Sequence, residues 1–460
     1  MKKYFPLVNV QTRQDQTTHT HSHAVVYSLV LAGLFILFSL LSPLGNLAYA
    51  QGDEGATWLV KMTPGASLPG GRHVIGDWWE VDEVQGLFAL ATSSHIVTIT
   101  PNHLFSLDEP EPVFFSASPL DAAFPDDTYY SYQWHLPLVQ ADTAWPVTQG
   151  MSVTVAVLDT GVTRGTDLTC HTFVDPYNAV TGETGLDAVA DDTGHGTHVT
   201  GTIAQCTNNG LGVAGMASKA TIMPVKVMVD GTGSEAALAR GIVWAVEHGA
   251  DVINLSLGSP CGNLTWPQCA YESVDQAIAQ AKRQGVLIVA AAGNAEMSSL
   301  YYPANHPDVM AVSAVGPQRE LAWYSNYGDG ILLTAPGGTD RKDANQDGYP
   351  DGVLQQTFSK KGWGYYFMQG TSMAAPHVTG AIALLKASAP HATPELLWQA
   401  LTQTAQDLGD RGRDARYGYG LIQTGDALSF LHRSAAWTNT LFFPSMMTHD
   451  QQPASSSPSD

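Results

Sequence analysis

Ser152-Val153-Thr154-Val155-Ala156-Val157-Leu158 is a β-rich apolar run that stops on the carboxylate of Asp159, followed by Thr160-Gly161. A strand without polar alternation is buried on both faces, and an acid at its C-terminal end lies where open α/β sheets build their sites. Reading outward, residues 221–229 form a second strand-like run, followed by helical spacing over 235–247. Residues 252–257, 274–284 and 286–292 then repeat the order strand, helix, strand. Such β-α-β alternation predicts an α/β fold, with a mostly parallel central sheet covered by helices on both faces. The expected domain spans residues 126–431. Residues 51–125 read as a small separate unit, with strand-like alternation at 57–62 and 95–100. Proline- and acid-rich linkers follow at 108–112 and 119–125. After residue 431 the chain turns Ser/Pro/Gln-rich, and 432–460 is expected to be a flexible tail.

Composition narrows the function classes. The 460 residues carry 42 Asp+Glu against 21 Lys+Arg, a net charge of -21. That balance argues against a nucleic-acid groove, which needs clustered cations. The acid excess is shared by 51–125 and by the region after it, so bulk attraction cannot hold the two together. At the N-terminus, Lys2, Lys3 and Arg13 precede an apolar run over 24–41, followed by Ala48-Tyr49-Ala50. This is the order of a secretory signal over residues 1–50. The protein is expected outside the cell, or membrane-anchored if that segment stays. Export permits disulfides. The 4 cysteines allow three pairings. Cys261 and Cys269 suit a small loop staple, which leaves Cys170 with Cys206.

Three segments carry chemistry: Asp159-Thr160-Gly161; Gly194-His195-Gly196-Thr197-His198-Val199-Thr200-Gly201; and Gly370-Thr371-Ser372-Met373-Ala374-Ala375-Pro376-His377. Asp, His and Ser are the parts of an acyl-transfer triad, and a serine at a helix N-terminus sits where developing negative charge is favoured. The order Asp, His, Ser and the lack of a G-x-S-x-G elbow argue against an α/β-hydrolase esterase. A non-catalytic scaffold would be expected to lack one of the three.

These motifs resemble those of the subtilisin family of serine proteases. Minor landmarks agree: Ala290-Ala291-Ala292-Gly293-Asn294, Asn254-Leu255-Ser256-Leu257-Gly258, Tyr130-Ser131-Tyr132-Gln133-Trp134 and Ala144-Trp145. The resemblance covers about residues 127–431 and implies a three-layer subtilisin-like fold. It implies that Ser372 is the nucleophile, His195 the general acid/base and Asp159 the orienting carboxylate, with Asn294 in the oxyanion hole. His198 and His377 are implied to be structural. Substrate is implied to lie extended between Gly231-Thr232-Gly233 and Ser256-Leu257-Gly258. Ala291, Ala292 and Gly293 would wall the pocket for the residue before the scissile bond, and an inward Tyr301 would shorten it. The resemblance also makes 51–125 a small α+β propeptide, an intramolecular inhibitor excised by self-cleavage between Ser116 and Asp127. Protein or peptide substrates, a monomeric enzyme and no cofactor for catalysis are implied with it.

Two stretches read as structural calcium sites. Asp343, Asn345, Asp347 and Asp351 occupy loop positions 1, 3, 5 and 9 of an EF-hand-like pattern, with Gly348 at 6 and the Tyr349 carbonyl at 7. Leu354 stands where the pattern expects a bidentate Glu. Thr207, Asn209, Leu211 and Val213 resemble the family's calcium loop, with Asp127 and Asp167 as partner carboxylates. If both segments embrace one ion, Cys170 and Cys206 come together, which supports that pairing.

Overall fold

The computed structural model describes residues 57–82, 95–107, 111–115, 125–260 and 271–442. The signal-like segment and the Cys261/Cys269 pair lie outside the described residues. Among the described residues, six strands precede the central domain: β1 (Thr57–Met62), β2 (Arg72–Ile75), β3 (Trp78–Asp82), β4 (Ile96–Pro101), β5 (Leu104–Ser106) and β6 (Val113–Phe115). The first four form an antiparallel sheet in the order β2-β3-β1-β4.

The main sheet takes β7 (Thr154–Asp159), β8 (Tyr177–Asn178) and β9 (Thr221–Lys226) from the first half of the domain. After the short β10 (Met228–Val229) and β11 (Thr232–Ser234), it adds β12 (Val252–Leu255), β13 (Leu287–Ala291), β14 (Met310–Val315) and β15 (Ile331–Pro336). The order is β15-β14-β13-β12-β7-β9-β8, and every neighbouring pair is parallel. A hairpin of β16 (Val353–Ser359) and β17 (Gly362–Met368) stands apart from it.

Helices α1 (His195–Ala204), α2 (Glu235–Glu247), α3 (Glu272–Arg283), α4 (Thr371–Ser388), α5 (Pro394–Thr404) and α6 (Thr424–Phe442) complete the layers. The two cores follow from strand periodicity, since successive side chains point to opposite faces. Val155 and Val157 of β7 pack in one core with α1, α4, α5 and α6. Ala156 and Leu158 pack in the other with α2 and α3. Leu59, Val74, Ile75, Trp78 and Phe105 join that second core, so the N-terminal sheet is seated on the α2/α3 layer.

The expected α/β architecture is what the chain adopts. One boundary differs: residue 431 falls inside α6, which continues to Phe442. Helix-forming residues such as Ala435 and Ala436 carry the helix past the point where composition changes.

Candidate active site

Asp159 closes β7, wholly buried, and accepts the Thr160 N–H at 2.7 Å. His195 opens α1, and its Nδ1 donates to Asp159 Oδ1 at 2.6 Å. Helix and strand end meet this closely because Gly196 has no side chain: a Cβ there would lie 2.1 Å from Gly161 O. The first turn of α1 is fixed by Asp191, buried beside it. Its Oδ2 accepts the Thr197 N–H at 2.8 Å and the Thr197 hydroxyl at 2.6 Å. Its Oδ1 accepts the Gly194 N–H at 3.0 Å and the Thr160 hydroxyl at 2.8 Å. This one carboxylate ties the Asp159 and His195 segments together. Sequence reasoning missed it, and the available signal was an acid four residues before a helix-opening His.

Ser372 is the second residue of α4, after Gly370 at φ 145°. Its hydroxyl donates to Ser256 O at 3.2 Å, while the Ser256 hydroxyl donates to Ser372 O at 2.7 Å. Asn294 follows β13. Its Oδ1 accepts both the N–H and the hydroxyl of Thr371 at 2.8 Å, which turns its Nδ2 donor the other way. Ser372, Thr371, Asn294, Gly293, Ala291, Ser256, Leu257, Gly258 and Tyr301 line one cleft. Tyr301 lies against its glycine walls: a Cβ on Gly293 would fall 2.7 Å from Tyr301 Cγ, and one on Gly258 2.9 Å from Tyr301 Cβ. Ala292 is not brought to the cleft. It points into the second core, because alternate residues of an extended segment face opposite ways.

The second motif histidines sit in the core. His198 Nε2 bonds Val353 O at 3.0 Å, and burial pushes its pKa down to about 3. His377 bonds His135 at 2.8 Å, and burial pushes it down to about 4. Both are neutral near pH 7 and hold elements together.

Residues 104–107 occupy the groove beside the cleft. β5 pairs antiparallel with β11, Ser106 opposite Thr232 and Leu104 opposite Ser234. Ser106 also bridges to Gly258, and the Leu107 N–H donates to Gly231 O at 2.9 Å. Phe105 is buried against Tyr271 and Tyr302. The segment in the groove therefore lies upstream of the expected cleavage interval, of which residues 116–124 are outside the described residues.

Both calcium stretches hold oxygen-rich clusters. Burial raises Asp167 to about 7 and Asp127 to about 6, and Asp127 Oδ1 is buried without a partner. Asn209 Nδ2 donates to Asp167 Oδ1 at 2.8 Å, and the Val213 N–H to Asp167 Oδ2 at 3.1 Å. Leu211 is an exposed side chain in the turn between them, and the Thr207 hydroxyl donates to Gln205 O at 3.0 Å. In the second loop, Asp343 accepts the N–H groups of Asp347 and Gly348 at 3.1 Å, and Asp347 that of Tyr349 at 2.9 Å. Asp351 is 1% exposed with an unpartnered Oδ1, and burial raises its pKa. Strands β15 and β16 flank this loop, and Leu354 is buried in β16. Buried carboxylates with orphaned oxygens fit a hard cation that needs several oxygen ligands. Cys170 and Cys206 form a disulfide with Cα atoms 5.9 Å apart, and the Cys206 N–H donates to Asp167 O at 3.0 Å.

A buried Asp–His pair and a helix-opening Ser at the C-terminal edge of a parallel sheet define an acyl-transfer hydrolase. Residues 150–420 match the model of the Subtilase family, Peptidase S8, and the chain belongs to that family. It is a serine endopeptidase. Subtilisin BL from Lederbergia lenta is 38% identical over 294 residues, covering 64% of this chain and 97% of its own. A thermostable alkaline protease from Halalkalibacterium halodurans is 37% identical over 279 residues, covering 60% and 68%. Fervidolysin from Fervidobacterium pennivorans, described as keratinolytic and related to subtilisin, superposes with a TM-score of 0.65 at 26% identity, covering 83% of this chain and 62% of its own.

Proposed function

We propose that the chain is a secreted, self-inhibited precursor of a monomeric, calcium-stabilised endopeptidase working through Asp159, His195 and Ser372. The contact between buried Asp159 and His195 Nδ1 carries this reading. It fixes the tautomer that leaves Nε2 to take a proton, and it stabilises the imidazolium once formed. Ser372 Oγ transfers its proton to His195 and bonds to the scissile carbonyl carbon. The oxyanion is held by the Ser372 N–H and Asn294 Nδ2, whose orientation Thr371 sets before substrate arrives. His195 then protonates the leaving amine, and water repeats the sequence on the acyl-enzyme. Purified Ser372→Ala protein is expected to fold and to leave casein intact. Wild-type turnover by that variant would refute the triad.

Substrate binds as an added strand between 231–233 and 256–258, as β5 does in this structure. Tyr301 shortens the cleft beyond Ala291 and Gly293, disfavouring bulky residues before the scissile bond. The N-terminal region, 51–125, acts as the inhibitor by lying in that groove. Its groove register supports a first self-cut just downstream of Leu107, with a later cut between Ser116 and Asp127. N-terminal sequencing of maturation products tests both positions. Calcium would be held by Asp127, Asp167, Asn209 and carbonyls of 207–213, and by Asp343, Asn345, Asp347, Asp351 and the Tyr349 carbonyl. It supplies charge neutralisation for buried carboxylates and takes no part in bond cleavage.

A further inference from the structure

The hairpin β16–β17 leads into the nucleophile, since β17 ends at Met368 and Ser372 follows four residues later. Its outer edge is covered by β6, which pairs antiparallel with Val113 opposite Phe367, Phe114 opposite Tyr366 and Phe115 opposite Tyr365. The same chain, a few residues upstream, pairs β5 with β11, and Ser106 and Leu107 line the cleft that holds Ser372. Six residue steps separate Leu107 from Val113, at most about 20 Å of extended chain. One polypeptide thus pairs with β11 and, beyond residues 108–110, which lie outside the described residues, with β17.

The edge is also shaped for a side chain. Phe114 meets Tyr366 edge-on, with ring centroids 5.2 Å apart. Gly364 leaves the space that ring fills, since a Cβ at 364 would lie 2.4 Å from Phe114 Cε2. Phe114 remains 43% exposed. An unpaired edge strand is a template for another chain, and this edge becomes unpaired when 113–115 departs.

We infer that the outer edge of β17 docks the primed side of extended polypeptide substrates, with Gly364 and Tyr366 accepting an aromatic side chain. The inference rests on the peptidase reading above. The segment 113–115 is the precursor's own occupant, running in the direction a substrate would. The preferred substrate is an unfolded chain with an aromatic residue seven positions after the one that occupies the place of Leu107. Its reach exceeds the cleft, so the edge selects for long, extended chains over short peptides.

The test is competition against a short peptide nitroanilide, which ends at the scissile bond and never reaches β17. The competing peptides are this chain's residues 104–115, the same peptide with Phe114→Ala, and residues 104–110. Mature enzyme whose N-terminus has been sequenced is used. The long peptide is expected to inhibit at a concentration about tenfold or more below the short one, from ladder hydrogen bonds and a half-buried ring. Phe114→Ala should lose most of that gain, and Gly364→Ala enzyme should bring long and short peptides within about twofold. Equal inhibition by both peptides on wild-type enzyme would overturn the inference, as would a full advantage kept by the Gly364→Ala enzyme. Mature enzyme that retains 113–115 would overturn it too, because its own chain would close the edge. Failure of the peptidase reading shows separately, as no nitroanilide hydrolysis at all.

Discussion

Glu80→Ala, made in a Ser372→Ala background so that the chain stays uncut, should release the N-terminal sheet from the catalytic domain. Glu80 is 8% exposed on β3, and its Oε2 pairs with Arg240 Nη1 of α2 at 2.8 Å, whose side chain is 7% exposed. Glu80 Oε2 also accepts Arg72 Nε at 3.0 Å, and Oε1 accepts Asn102 Nδ2 at 2.8 Å. Arg240 keeps its bonds to Ala179 O but loses its only carboxylate partner among the described residues. Removing one member of a buried pair costs about 3–5 kcal/mol, because the other charge stays buried and uncompensated. Docking within one chain reports that cost directly, as a rise in opening of about 10²- to 4 × 10³-fold, by about 1.4 kcal/mol per decade. Hydrogen exchange of residues 104–107, whose Leu107 amide is bonded to Gly231 O, reads the opening. Arg72→Ala is the control: its side chain is 41% exposed, and such a pair is worth about 1 kcal/mol or less. Unchanged exchange in Glu80→Ala, or an equal rise in Arg72→Ala, would refute the reasoning.

Acid should loosen the same interface. Burial pushes the Glu80 pKa up, but Arg240 and Arg72 outweigh it and hold it below the usual 4.5. The pair therefore contributes fully above pH 4.5 and is lost as pH falls through the lower folded value, so the opening of 104–107, read as exchange divided by the intrinsic amide rate at each pH, should be greater at pH 3 than at pH 6. EGTA should lower the melting temperature at pH 7.5, and Asp167→Asn or Asp351→Asn should each shrink that drop; a melting temperature indifferent to EGTA would count against both cation sites. Tyr301→Gly should raise kcat/KM for substrates with Phe before the scissile bond by roughly tenfold or more, with little change for Ala. A strong Phe preference already present in the wild type would sink the short-pocket reading.

The parallel sheet and the segments that carry Asp159, His195 and Ser372 were legible because steric demands write themselves into local sequence. Unbroken apolar runs mark β7 and β13, and Gly196 marks the approach of α1 to Asp159. The calcium-like spacing over 343–351 was legible for the same reason, as alternate residues of one short loop. Strands β5 and β6 were not, because three-residue strands exist only through partners distant in sequence, β11 and β17. The Glu80–Arg240 pair escaped for the same cause, its members being separated by 160 residues. Bulk charge gave no attraction between two acidic regions, and the structure holds them by a shared apolar core, strand pairing and ion pairs that include the buried Glu80–Arg240. Ala292 shows the limit of motif transfer: one step along an extended segment turns a side chain from the cleft into the core.

The central claim is that Ser372, activated through His195 and Asp159, is the nucleophile. Labelling the mature enzyme with a fluorophosphonate, followed by peptide mapping, tests it most directly. One stoichiometric adduct on Ser372 is expected, with loss of casein hydrolysis in step with labelling and slow labelling in His195→Ala. An adduct on another serine, or full casein hydrolysis by enzyme labelled at Ser372, would contradict it.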